Sequence, residues 1–226
     1  MTDDERPPTE SAWPDLAEWL EETGNLVDLL PAADDLGEAA LASLDGVDET
    51  SALGALARHA AAVVVDDWLI LLGAGSDDVP GIREFNGRAI EGVEAIPGAL
   101  VVGIDRLGGA FAINAGGLPE GDAGEIVYLA PDDLTWMRCG FPYSGLLEWA
   151  LEGDVEGFYA DVRWPTWREE SAALGPNRGF NAYPPPWAEP SDDIEVRHAP
   201  APLVDVWKLV LATSLTQGTW IPAGNG

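Results

Sequence analysis

The apolar positions of the chain change their period twice. Between residues 13 and 20 they recur every three or four residues, as Trp13, Leu16, Trp19 and Leu20, the stripe of an amphipathic helix. Pro14 falls in the first turn, where a missing amide costs nothing, and Gly24 supplies the stop. "NLVDLLP" is short, apolar and closed by Pro31, the outline of a strand. "DDLGEAALASL", with acids in front and Ala and Leu behind, predicts a short helix, and "SALGALARHAA" another.

From residue 62 the period shortens. "AVVVDDWLILLGAG" predicts two strands around a tight Asp66-Asp67 turn. Residues 76–98, dotted with Gly and Pro, read as loop. "ALVVGID", "GAFAINA", "GEIVYLA" and "LTWMRC" then follow as strands with short links. Consecutive strands joined so briefly imply an antiparallel meander of about four to six strands. Beyond Pro142 the helical spacing returns. "YSGLLEWALEG" sets Leu146, Leu147, Ala150 and Leu151 on one face, "DVEGFYADVRW" follows with Asp154 as its cap, and "WPTWREESAAL" has Pro165 in a first turn. Residues 175–200 are Pro-rich and irregular, and "PLVDVWKLVLATSL" predicts a last helix. The expected fold is α+β: an antiparallel sheet flanked by N- and C-terminal helices. It forms a single domain over residues 11–215, with residues 1–10 and 216–226 as flexible ends.

Glycine-dense "GIDRLGGAFAINAGG", residues 103–117, raises a choice of chemistry. A phosphate loop requires strand, glycine loop and then a helix whose N-terminus faces the anion. Here "AFAIN" alternates like a strand, and no Lys-Ser/Thr pair follows the glycines. The stretch therefore predicts a hairpin, with residues 100–104 paired to 110–114 around Arg106 to Gly109. Gly108 or Gly109 should take a positive φ.

Charge adds the next constraint. The 226 residues carry 40 acids against 11 bases, a formal net charge of −29, with Lys208 the single lysine. Such a field repels nucleic acid and anionic membrane surfaces and attracts basic proteins, though surface acids also serve solubility. No apolar run approaches the ~20 residues of a membrane span. The acidic start "MTDDERPPTESAW" lacks the basic flank and apolar stretch of a secretory signal, and one cysteine suits a reducing compartment. A cytoplasmic location is expected. The charge does not indicate an oligomeric state.

Candidate chemistry is sparse. Two histidines, His59 and His198, lie far apart, no GxSxG elbow is present, and no zinc spacing occurs. Cys139 beside Arg138 reads as a small core residue or as a thiol with a lowered pKa. Forty acids nominate no particular catalytic pair. No catalytic residue, metal ligand or cofactor is assigned. Of the ten tryptophans, Trp13, Trp19, Trp149 and Trp207 fall on helical stripes, whereas Trp68, Trp136 and Trp187 border turns or strands. Hairpin ends of a meander gather, so Asp66, Asp67, Trp68, Asp105, Asn114 and Trp136 form the candidate binding face. The reading that leads is a non-catalytic acidic binding module for a basic protein. A carboxylate-dependent hydrolase and a housekeeping interaction protein are the alternatives.

The blocks "AWPDLAEWL", "VDDWLILLGAGS", "REFN", "DRLGGAFAINAGG", "GEIVYLAPDDLTW" and "YSGLLEWALEGDVEGFYADVRWPTW" resemble the bacterial domain-of-unknown-function family 2625 over about residues 11 to 210. That family implies no activity. A second similarity is to the SUKH superfamily, which includes the Smi-type domains. It rests on the "LLGAG" strand end, the "GGAFAIN" hairpin, the "IVYLA" strand and the helix after it. It implies an immunity-type inhibitor of a basic toxin domain. The chain departs from that superfamily in its long flanking helices and its Pro-rich insertion, which would reshape or cover the usual binding face.

Overall fold

The computed structural model describes residues 10–87, 95–189 and 194–217. The expected flexible ends fall largely outside these residues, as does part of the 76–98 stretch. Helix α1 (Trp13–Glu22) buries Leu16 and Leu20, with Pro14 in its first turn as the spacing requires. Strand β1 (Val27–Pro31), helix α2 (Asp34–Ala42) and helix α3 (Ala52–His59) follow. The Ser51 side chain caps α3 by accepting from the Gly54 amide at 3.1 Å.

The chain passes from α3 directly into strand β2 (Ala60–Val65), and then β3 (Leu69–Leu72), β4 (Ala99–Asp105), β5 (Ala110–Asn114), β6 (Ile126–Leu129) and β7 (Trp136–Arg138) complete the sheet. These form one antiparallel sheet of seven strands in chain order, β1 to β7. It is the expected meander, wider than the four to six strands read from the pattern. β1 and the short β7 are its edges. The β4–β5 hairpin runs from Ala99 opposite Asn114 to Ile104 opposite Ala110, and Gly108 has φ +84°. Every residue of β2, β3 and β6 is buried. Covered on both faces, these strands read as continuous apolar runs where a sheet wet on one side would alternate.

Two stretches differ from the pattern. Within 76–98 a short helix, α4 (Ile82–Phe85), interrupts the loop. The Pro-rich segment is also more regular than its composition suggested. Strands β8 (Arg178–Tyr183) and β9 (Arg197–Pro202) pair antiparallel as a separate two-stranded sheet. Proline tolerates such a place because an edge strand leaves some amides unpaired. Along the chain, α5 (Tyr143–Glu152), α6 (Val155–Phe158) and α7 (Trp167–Ala172) come between the strands of the two sheets, and α8 (Leu203–Thr216) follows β9. Asp154 caps α6, as expected, by accepting from the Gly157 amide at 2.7 Å.

Arg106, in the β4–β5 turn, joins the two sheets. Its Nε donates to the Asp67 carbonyl at 3.0 Å and its Nη1 to the carbonyls of Gly175, at 2.9 Å, and Arg178. The Arg106 carbonyl accepts from the Phe180 amide at 2.7 Å. Burial lowers the guanidinium pKa to about 10, and Asp67 opposes that shift. The base of the β8–β9 hairpin is therefore fastened to the β2–β3 and β4–β5 turns by one buried cation.

Candidate functional site

Register pairs place three turns at one end of the large sheet. Val65 lies opposite Leu69, Leu69 opposite Asp105, Ala110 opposite Leu129, and Leu129 opposite Trp136. The β2–β3, β4–β5 and β6–β7 turns therefore sit together. Of the six candidate residues, Asp66, Asp67, Trp68, Asp105 and Trp136 belong to this end. Asn114 faces Ala99 at the opposite end.

Their side chains do not form an exposed face. Trp68 is 0 % exposed, Asp105 1 %, Asn114 2 % and Trp136 5 %. Asp105 Oδ1 accepts from the amides of Leu107 (2.8 Å) and Gly109 (2.9 Å), and its Oδ2 accepts from the Tyr128 hydroxyl at 2.6 Å. Burial pushes the Asp105 pKa up, and these hydrogen bonds pull against it. Asn114 staples the loop after β5: its Oδ1 accepts from Gly116 at 2.7 Å, and its Nδ2 donates to the carbonyls of Glu120 and Gly121, each at 3.0 Å. Asp66 and Asp67 both sit at positive φ, 54° and 52°, as short acidic residues in turns can.

Asp66 holds a pair of arginines. Its oxygens meet Arg163 at 3.1 Å and Arg168 at 2.8 Å. The Arg163 side chain is almost wholly buried, and its guanidinium carbon lies 3.7 Å from the Trp167 ring centroid, 4.8 Å from Trp68 and 5.0 Å from Tyr159. This is an internal aromatic cage filled by the protein's own cation.

The open surface lies beside that cage. A cleft of about 470 Å³ is bounded on one side by Leu107, Asp132 and the Asp161–Trp164 segment, and on the other by Pro184–Pro186, Val196 and His198. One wall is thus the body of the domain and the other the tip of the β8–β9 hairpin. Trp164 and His198 stack at 3.5 Å with their planes 6° apart. The Trp164 indole donates to Glu170 at 3.1 Å, and burial lowers the His198 pKa while Glu170 opposes the shift. Glu189 adds a third carboxylate to the cleft beside Asp132 and Asp161.

A smaller recess of about 140 Å³ adjoins it. Asp132, Asp161 and Val162 line both cavities, and Tyr128, Met137, Phe158 and Tyr159 line the recess. Exposed large apolar side chains gather at this double hollow. Met137 and Phe158, each 40 % exposed, border the recess, while Ile194 and Val196 border the cleft. Among the described residues no group of three or more His, Cys, Asp or Glu is placed to hold a metal ion. Cys139 lines neither cavity. Burial pushes its thiol up to about 11, so the neighbouring arginine does not activate it; Arg138 is turned to Asp122 and Glu125, at 2.9 and 2.8 Å.

The candidate face marked from the sequence and the two cavities lie at the same end of the large sheet but involve different residues. "APDDLTW" and "YADVRW" held the usable carboxylates, and the Pro-rich insertion held the opposite wall. The one local signal was proline density at 184–186, which marks a stiff surface segment without saying what it faces.

The chain matches the model of a family described as "Protein of unknown function DUF2625" over residues 5–202. It is 35 % identical over 203 residues to "Putative uncharacterized protein YbfG" of Escherichia coli (strain K12), covering 88 % of this chain and 90 % of that protein. It is 31 % identical over 176 residues to an "Uncharacterized protein" of Haemophilus influenzae (strain ATCC 51907 / DSM 11121 / KW20 / Rd), covering 76 % of each chain. No solved structure matches the chain. These matches bear on the first of the two family resemblances and not on the SUKH superfamily.

Proposed function

The chain belongs to the family of proteins of unknown function DUF2625, and from that premise we propose that it is a non-catalytic binding module whose double hollow receives a basic segment of a protein partner. One observation carries this reading: exposed apolar side chains and unpaired-sign carboxylates meet at the same place. Met137, Phe158, Ile194 and Val196 stand around Asp132, Asp161 and Glu189. Soluble monomers rarely leave large apolar groups together on the surface without use. An acidic rim adds fast, salt-sensitive capture of a cationic partner.

The hydrolase alternative is less well served. Asp105, the carboxyl that burial pushes upward, has its oxygens engaged by Leu107, Gly109 and Tyr128 and does not line either cavity. A general acid must reach its substrate. An immunity-type inhibitor of a basic toxin is a narrower form of the binding reading; it uses the same surface and specifies the partner. A cytoplasmic partner belongs to the same proposal, and no helix among the described residues is long and apolar enough to cross a membrane.

The test compares two doubly neutralised variants of equal net charge. Asp132→Asn with Asp161→Asn changes the rim, whereas Asp15→Asn with Glu18→Gln changes the exposed face of α1. A basic partner recovered from the host is titrated against each. The rim variant should bind about tenfold more weakly, and its association rate should lose part of its salt dependence, while the α1 variant stays near the parent. Equal losses in both variants, or no basic partner at any ionic strength, overturn the proposal.

A further inference from the structure

The smaller recess has a geometry of its own. Three rings meet there almost at right angles. Phe158 lies 4.8 Å from Tyr159 at 88° and 5.2 Å from Tyr128 at 69°, and the two tyrosines lie 6.4 Å apart at 80°. Phe158, 40 % exposed, is the open wall of the recess, and the buried Tyr128 and Tyr159, 3 % and 1 % exposed, line its floor. Phe158 is held in place from behind by Trp149, 5.0 Å away. The carboxylates of Asp132, Asp133 and Asp161 stand at the same cavity.

Each part of this arrangement favours an organic cation. An aromatic face attracts positive charge electrostatically, and the attraction grows as water is excluded. Burial drives the hydroxyl pKa values of Tyr128 and Tyr159 upward, so both rings stay neutral phenols through the physiological range. Asp132 is near enough to Tyr128 to add to its upward shift. The carboxylates are not gathered as metal ligands would be. At about 140 Å³ the recess is below the size of a drug-sized ligand pocket and suits the head of one side chain.

The molecule contains an internal precedent. Tyr159 lies 5.0 Å from the Arg163 guanidinium in the filled cage and also lines the recess. The same ring thus stands between two aromatic-walled hollows, one of which already holds a guanidinium.

We propose that the recess walled by Phe158 and floored by Tyr128 and Tyr159, with Asp132, Asp133 and Asp161 lining it, is an aromatic site for an ammonium or guanidinium group. It is the socket into which a lysine or arginine of the basic partner inserts, a step that rests on the docking reading above.

The chain has two methionines, Met1 and Met137, so methyl-labelled methionine gives an assignable NMR reporter at the recess. The labelled protein is titrated with choline chloride and with its uncharged isostere 3,3-dimethylbutan-1-ol at matched ionic strength. Choline should move the Met137 methyl saturably, and the alcohol should bind at least about fivefold more weakly. Phe158→Leu, which keeps apolar bulk and removes the π face, should weaken choline by about fivefold. Asp132→Asn, an exposed and fold-neutral change, should weaken it too. Equal response to cation and alcohol, a shift that does not saturate, or unchanged affinity in both variants overturns the aromatic site. The two proposals fail separately. A basic partner that binds the Phe158→Leu protein undiminished removes the aromatic site and leaves the docking surface. Saturable choline binding without any basic partner leaves the aromatic site and removes the docking surface.

Discussion

At the residue scale, the side chains that looked most available are the ones most used internally. Asp105 and Asn114 each make several hydrogen bonds to the loop beside them, and a carboxylate or amide so employed has nothing left to offer a partner. His198 shows the reverse. It came from an irregular, Pro-rich stretch and is stacked flat on Trp164 in the cleft wall. Burial lowers its pKa, so the folded protein favours the neutral ring. The unfolded chain protonates near pH 6.5, about the ordinary histidine value. This contribution to stability is therefore present above about pH 6.5, is lost as pH falls from there through the lowered folded pKa, and is constant below it. Melting curves between about pH 8 and pH 5 should show a loss on acidification. That loss should shrink in His198→Phe, which keeps a ring for the stack and cannot take a proton. An identical pH profile in the two proteins would show that His198 does not carry it.

At the element scale, the β8–β9 hairpin is both the far wall of the cleft and the least conventionally attached part of the fold. Its base hangs on Arg106, whose guanidinium donates to backbone carbonyls of Asp67, Gly175 and Arg178. A buried arginine satisfied by carbonyls in place of a carboxylate carries a desolvation cost, and losing it leaves those carbonyls unpaired. Arg106→Met keeps the length and removes the donors. The expected destabilisation is about 2–5 kcal/mol. Hydrogen exchange should locate it, with amides of β8 and β9 losing protection before those of β2 to β5. A uniform loss across the large sheet would place the role of Arg106 in the core instead. Gly179 shows how closely the elements approach, since a Cβ there would lie 2.6 Å from the Arg106 carbonyl oxygen.

At the scale of the whole molecule, 29 excess negative charges repel one another across a 226-residue surface. Screening reaches about 10 Å at 0.1 M salt, so added salt should relieve that repulsion. A rise from about 10 mM to about 500 mM sodium chloride should stabilise the protein by roughly 1 kcal/mol, or about 2–4 °C in Tm. A Tm that falls with salt would mean that pairs such as Asp66 with Arg163 and Arg168 outweigh the general repulsion.

What the sequence determined by itself is what short-range physics decides. The spacing of Trp13, Leu16 and Leu20 specifies a helix face, and the β-branched runs separated by short polar turns specify a meander. Gly108 at φ +84° is where the pattern required a residue without a Cβ, so "DRLGGAF" turns from β4 into β5 and leads into no helix. Burial on both faces erased the alternation that would have told which strands lie inside. Tertiary structure alone decided which polar groups face water. Asp66, Asp105 and Asn114 have the composition of exposed turns; Asp66 is covered by the distant Arg163 and Arg168 and Asp105 by Tyr128 of β6, while Asn114 is buried by the loop that directly follows it. It also decided where the carboxylates with no internal use would stand. Asp132, Asp161 and Glu189 are separated along the chain and share a cleft because Arg106, the buried Phe180 and the Trp164–His198 stack hold the β8–β9 hairpin against the rest of the fold. Local sequence carries period and turn chemistry. The meeting of distant loops depends on packing that no single window of residues contains.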